Sequence, residues 1–362
     1  MATKEGTWAY RDRFTEEFGR TYFRRFGDGV VSSVGLGTYL GEPTAEVDDR
    51  YEEAITAALE SGCNLIDTAI NYRHQRSERV AGRALSDANV DREAVVVATK
   101  GGFVPFDGER PDDPGRYVRE EYVDSGVVDR SELVRGSHCI APDFLDDQLD
   151  RSLANLDVET IDLYYVHNPE GQLQERSREA VYARLEATFE RLEERVADGD
   201  LRYYGVATWE AFRVHEEHAS YLSLPEVVSR ARSAAKAAGN VATHLRAIQL
   251  PFNVHMADAF TVEAHEGSEG VESALRFARD AGLNVFASAS IGQGRLAEGL
   301  PEAVADRLEG ETSAQRAINF ARSAPGVTSA LVGMSDRNHV AENLDAGRYD
   351  PMGADAFDSV FE

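Results

Sequence analysis

Residues 64–85 read "NLIDTAINYRHQRSERVAGRAL". A short apolar run ends on Asp67, a polar connection carries Tyr72, and from Arg76 onward apolar residues recur every three or four positions. The first part has the character of a buried strand and the last that of an amphipathic helix, so the stretch is one β–α unit. A carboxylate at a buried strand end needs a partner. A phenol five residues on is chemically useful only where its proton can move.

The unit recurs along the chain. Strand candidates are Val31–Tyr39, Asn64–Ala69, Ala94–Lys100, Ile161–Asn168, Leu201–Thr208, Leu245–Asn253, Asn284–Ser290 and Val327–Gly333. Helical periodicity follows in "RSERVAGRALSD", "PDFLDDQLDRSLANL", "REAVYARLEATFERLEERVADG" and "VESALRFARDAG". Gly62, Gly199, Gly282 and Gly326 stand where helices should stop before the next strand. Eight such pairs without a linker predict a single α/β domain over residues 1–362, a (β/α)8 TIM barrel. A doubly wound sheet is the alternative. "TYFRRFGDGVVSS" reads as a hairpin capping the bottom of the barrel, and the connections after strands 3 and 5 (101–140 and 210–244) are enlarged. Loops that follow strands lie on the catalytic face of such barrels, which makes 101–140 the substrate-loop candidate.

Composition narrows the function. The chain carries 38 basic and 64 acidic side chains, a formal net charge of −26. That excludes nucleic acid and anionic membrane as expected partners, since both need positive surface. With 42% hydrophobic residues but no long apolar run and no secretory h-region, a cytoplasmic enzyme is expected. Cys63 and Cys139 form neither a disulfide framework nor a CxxC pair. Lysine occurs at three positions, Lys4, Lys100 and Lys236, so arginine is the default cation. High acidity with little lysine points to adaptation to high salt, the alternative being an ordinary acidic protein from a GC-rich genome. It also singles out Lys100 as a position that needs an ammonium.

On the expected barrel, Asp67 ends strand 2, Tyr72 follows it, Lys100 ends strand 3 and His167 lies near the end of strand 4. All four converge on one face. Asp67 pairs with Lys100, and the ammonium beside Tyr72 should lower the phenolic pKa, leaving a tyrosine able to act as general acid or base. "HEEH" (His215–His218) lacks the spacing of a zinc motif and is expected on a solvated helix face, "SHC" (Ser137–Cys139) is expected in a loop, and no metal site is expected.

Over nearly its whole length the chain resembles the aldo/keto reductases. The resemblance is carried in order by "VGLGTY", "NLIDTAINY", "SERVAGRAL", "VVVATK", "LDRSLANLDVETIDLYYVHNP", "RYYGVATW", "IQLPFN", "SIGQGRL" and "LVGMSDRNHVAENL". It implies an Asp67–Tyr72–Lys100–His167 tetrad and hydride transfer between a nicotinamide and a small aldehyde, ketone or sugar. NADPH is the preferred cofactor, with NAD possible. Carried over residue by residue, Asn168 and Gln249 hold the carboxamide, Thr208 restores part of a lost contact to it, and Gly37 and Thr38 are further cofactor-binding residues. Ser290, Ile291, Gly292 and Gly294 hold the pyrophosphate. Ser335, Arg337, His339, Glu342 and Asn343 grip the adenosine end; Arg337, at a helix start, is the expected clamp for the 2′-phosphate, while His339 holds the place of the family's phosphate-binding arginine. Tyr39, Phe103 and Trp209 face substrate. Two departures stand out: "GVAT" replaces the family's Gly-Val-Ser-Asn, so Ala207 loses a hydroxyl contact, and Ser288 replaces the stacking aromatic, a loss for which Trp209 or Phe286 could compensate. The alternative reading is a nucleotide-binding regulatory or structural barrel with little turnover. A metal-dependent lyase or isomerase is a third, with no ligand cluster to support it.

Overall fold

The computed structural model describes residues 1–361. A hairpin comes first, β1 (Phe23–Phe26) with β2 (Gly29–Ser32). The barrel strands are β3 (Val34–Gly37), β4 (Leu65–Asp67), β5 (Val96–Gly101), β6 (Ile161–His167), β7 (Leu201–Ala207) and β8 (Leu245–Pro251). A second hairpin, β9 (Glu263–Gly267) with β10 (Gly270–Ser273), precedes the last two barrel strands, β11 (Asn284–Ser288) and β12 (Val327–Gly333). The eight barrel strands close in the order β11-β12-β3-β4-β5-β6-β7-β8, and every neighbouring pair is parallel. All strand ends therefore open on one face.

The helices begin and stop for local reasons. Arg178–Asp198 is capped by Ser177, whose hydroxyl accepts the Ala180 N–H, and it ends on Gly199 at φ 91°. A cap of this kind stabilises by about 1 kcal/mol. Pro142–Leu156 starts with proline in its first turn, where the missing N–H is not needed. Thr312 and Gln315 form a reciprocal capping box for Ser313–Ser323.

Inside the barrel, Leu65, Val96, Ala98, Leu163, Tyr165, Ala247, Phe286 and Leu331 fill the bore, and a larger apolar shell lies between strands and helices. Gly205 is required by that filling: a Cβ there would stand 2.5 Å from the Ala247 carbonyl oxygen and 2.7 Å from the Tyr165 ring. The first hairpin plugs the bottom. Phe26 sets its ring edge-on to Tyr203 and Phe286 at 5.6 Å each, and Arg202 pairs with Asp28. Asp162, at the start of β6, gathers three donors there: Ala2 N at 2.6 Å, Arg92 Nη2 at 2.7 Å and Val97 N at 3.0 Å.

Three expectations are corrected. The run Val31–Tyr39 is not one strand: it breaks at Ser33, whose N–H donates to Tyr22 while its carbonyl accepts from Ala330. Val31 therefore belongs to the hairpin and Val34 opens the barrel. "VESALRFARDAG" starts as strand β10 and turns helical only at Ala274. His215–His218 occupies an exposed turn rather than a helix face, because no apolar stripe anchors it. Among the described residues, no helix is long and apolar enough to cross a membrane, and no cluster of ligating side chains could hold a metal.

Candidate active site

A cleft of about 770 Å³ opens at the strand ends. Its floor is polar because β4 and β6 finish on Asp67 and His167, and Lys100 sits one residue before the end of β5. Asp67 ends β4 and is 5% exposed, and Lys100, one residue before the end of β5, is fully buried behind it. The Lys100 Nζ lies 2.5 Å from Asp67 Oδ1 and also donates to the Thr68 carbonyl at 2.8 Å. Gln249 Nε2 donates to the other carboxylate oxygen, Oδ2, at 2.7 Å. Tyr72 lies over the ammonium, with Nζ 4.8 Å from its ring centroid, and His167 stands edge-on to that ring at 6.0 Å between centroids. The four expected residues are thus brought together from β4, the β4 loop, β5 and β6.

Their electrostatics follow from burial. Burial pushes the Asp67 carboxyl up, and Lys100 and Gln249 pull it back. Burial draws the Lys100 ammonium down, but Asp67 and Tyr72 hold it above its ordinary value. We assign the charged pair. Burial also raises the Tyr72 phenol, and Lys100 offsets this only in part. This corrects the expectation of a lowered phenolic pKa: withdrawal from water outweighs one nearby ammonium whose charge Asp67 largely cancels. His167 is driven well below its usual range by burial, then by Lys100 and His138, so its imidazole is neutral.

Of the residues expected around a cofactor, Gly37, Thr38, Asn168, Thr208 and Gln249 line the cleft beside this floor. Ser290, Ile291 and Gly294 line its middle, and Ser335, His339, Glu342 and Asn343 its far end. Tyr39, Phe103 and Trp209 line the near side, with Tyr39 55% and Trp209 42% exposed. Two expected residues fall outside. Gly292 borders a smaller neighbouring cavity with His255 and Arg295. Arg337 is exposed, with its Nε 3.9 Å from the Glu53 carboxylate, because the helix Arg337–Asp345 turns that position away from the cleft. Phe286 is buried under the barrel floor against Phe26 and cannot stack on a ligand.

Among the described residues, no lysine or arginine lines the cleft. Several buried polar atoms there lack a partner: Asn71 Oδ1, His167 Nδ1 and Thr208 Oγ1. Buried polar atoms are ordinarily paired, so these are positions for a ligand to complete, and the volume and mixed polar and apolar lining of the cleft suit a nicotinamide dinucleotide. Sequence reasoning missed Asn71, Gln293 and Leu331 among the lining residues. It also passed over His138, which is buried, with its Nε2 2.8 Å from the His167 carbonyl oxygen.

Comparison with known proteins agrees with this geometry. The model of the aldo/keto reductase family matches residues 33–225, just over half of the chain. A curated NADH-specific methylglyoxal reductase of Escherichia coli is 29% identical over 194 residues, 52% of each chain, so the match spans about half of that relative. Among solved structures, a glycerol dehydrogenase of Gluconobacter oxydans aligns over 95% of both chains with a TM-score of 0.64 at 20% identity. An aldo/keto reductase of Klebsiella pneumoniae, in complex with NADP and acetate, aligns over 94% of both with a TM-score of 0.60 at 19% identity. These structures show the same fold.

Proposed function

The chain belongs to the aldo/keto reductase family, and from that premise we propose that it reduces the carbonyl of a small aldehyde, ketone or sugar with NADP(H), Tyr72 supplying the proton. The observation that carries this reading is the buried Lys100–Asp67 pair at 2.5 Å directly behind a tyrosine that opens into the cleft. The dinucleotide, when bound, supplies the hydride. Tyr72, its pKa raised by burial, stays protonated across the neutral range and donates to the carbonyl oxygen. Lys100, kept charged by Asp67, stabilises the phenolate left behind, which water then reprotonates. Neutral His167 orients the carbonyl oxygen, and Gln249 fixes Asp67 through its second oxygen.

The Klebsiella protein holds NADP, which supports NADP(H) here. With Arg337 outside the cleft, Ser335 and His339 are the groups left to meet a 2′-phosphate. The test is to mix purified protein with NADPH or NADH and a panel of aldehydes in high salt, following nicotinamide absorbance. Aldehyde-dependent consumption with NADPH favoured is expected. Dinucleotide binding without turnover would make the chain a nucleotide-binding subunit instead.

A further inference from the structure

The 3-10 turn Pro169–Gln174 follows β6 directly, after Asn168 adopts φ 49°. It carries two buried polar side chains that reach opposite neighbours. Glu170, 8% exposed, accepts the backbone N–H groups of Trp209 and Glu210 at 2.7 and 3.1 Å, both on Oε1. Gln172, 1% exposed, donates one amide hydrogen to His138 Nδ1 at 2.7 Å and the other to the His138 carbonyl at 3.0 Å. With Nδ1 accepting, the imidazole proton sits on Nε2 and is donated to the His167 carbonyl at 2.8 Å. The Phe103 ring lies between the two imidazoles, 4.7 Å from His138 and 5.1 Å from His167.

One short turn therefore holds two loops. The long connection after β5, which carries Phe103, is tied through Gln172 and His138. The connection after β7, which carries Trp209, is tied through Glu170. Both aromatics line the substrate side of the cleft, and loss of Glu170 would strand two backbone N–H groups, those of Trp209 and Glu210, at once. We propose that this turn is a bracket that sets the spacing of Phe103 and Trp209. Glu170 and Gln172 are then specificity-determining positioning residues, and neither touches the reacting atoms. The inference rests on the oxidoreductase reading of the cleft. A purely structural role predicts something different: loosening the turn would lower stability and scale all substrates alike.

The test compares propanal with benzaldehyde, with NADPH, for wild type, Glu170→Ala, Glu170→Gln and Gln172→Met. The last keeps side-chain volume and carries the test if Glu170→Ala does not fold. In a Trp8→Phe background, acrylamide quenching reports on Trp209 alone, since the chain has two tryptophans. For Glu170→Ala we expect the benzaldehyde-to-propanal ratio of kcat/KM to shift about tenfold, mostly through KM, with dinucleotide Kd nearly unchanged and Trp209 more readily quenched. For Gln172→Met, which frees the Phe103 side, the ratio shifts and Trp209 quenching stays as in wild type. Glu170→Gln, whose amide oxygen still accepts, restores most of the wild-type ratio. Equal losses on both substrates, with quenching unmoved in Glu170→Ala, overturn the bracket. If the wild-type protein turns over neither aldehyde, the oxidoreductase reading is judged on the wider carbonyl panel, and the quenching result alone decides the bracket.

Discussion

Two buried aspartates at opposite ends of the barrel have different fates. Asp162, at the bottom, accepts from Ala2, Arg92 and Val97 under a hairpin that seals the bore. Asp67, at the top, also has its partners, Lys100 and Gln249, but around it Asn71, His167 and Thr208 leave polar atoms unpaired at the cleft wall. The circle at the bottom is nearly closed, Arg92 Nε being the atom of these groups left without a partner, and it contributes stability; the more open one beside the cleft leaves capacity for a ligand. The same residue type, at opposite ends of one barrel, is divided between the two tasks by what covers it.

The sharpest way to break this contrast is Tyr72→Phe. It should lower turnover by about 10²–10⁴-fold and leave the thermal midpoint close to wild type; activity within a few-fold of wild type would end the assignment of the proton donor. Asp162→Ala should do the reverse. Stranding the buried N–H groups of Ala2 and Val97, with Arg92 partly exposed, costs about 1–3 kcal/mol, visible as a lower urea midpoint, while kcat per folded molecule stays the same. Loss of kcat without loss of stability would erase the division between the two faces.

A smaller effect is expected at Glu193, also towards the bottom, which accepts from Tyr204, Asn240, Thr243 and both the backbone and ring of His244. Burial pushes this carboxyl up, but those donors, His244 foremost, bring it below its ordinary value of 4.5. A folded pKa below the unfolded one means the stabilisation is complete above 4.5 and fades as pH falls through the folded value. Glu193→Gln should therefore flatten the acid limb of Tm against pH below that point; an unchanged limb would assign it to other carboxylates. The smallest and most diffuse effect is that of salt. With net charge −26, the midpoint should rise as the Debye length contracts from about 30 Å at 0.01 M to about 3 Å at 1 M, and a flat response would mean the acidity does not bear on folding.

Much of the barrel was legible because its local signals agree. The helices Arg76–Asp87 and Pro142–Leu156 and the strand Val327–Gly333 match the periodicity to the residue. The break at Ser33 was not, since an apolar run looks the same whether it serves one sheet or two. The β9–β10 hairpin hid behind a charged, glycine-bearing stretch whose buried anchor is a polar residue, His265. In the site, Asp67, Lys100 and His167 could be placed because each sits at or beside a strand end. The sign of the Tyr72 shift could not, because it depends on how deeply folded loops bury the phenol. The links from Gln172 to His138 and from Glu170 to Trp209 join distant loops, and no spacing rule announces them.

The way the barrel closes divides the site by assembly order. Asp67, Lys100 and His167 come from β4, β5 and β6, which are consecutive in the chain and pair side by side. The cofactor side of the cleft instead draws on Gly37 and Thr38 by β3 and on Gly333 and Ser335 by β12, strands from opposite ends of the sequence that meet only when the ring shuts. Contacts between such distant segments carry the largest loop-closure penalty and tend to form late. A partly folded chain can thus hold the Asp67–Lys100–His167 trio while lacking the side of the cleft proposed for a nucleotide. A dinucleotide that binds across the junction would then act as a clasp, raising the free energy of reopening in proportion to its occupancy.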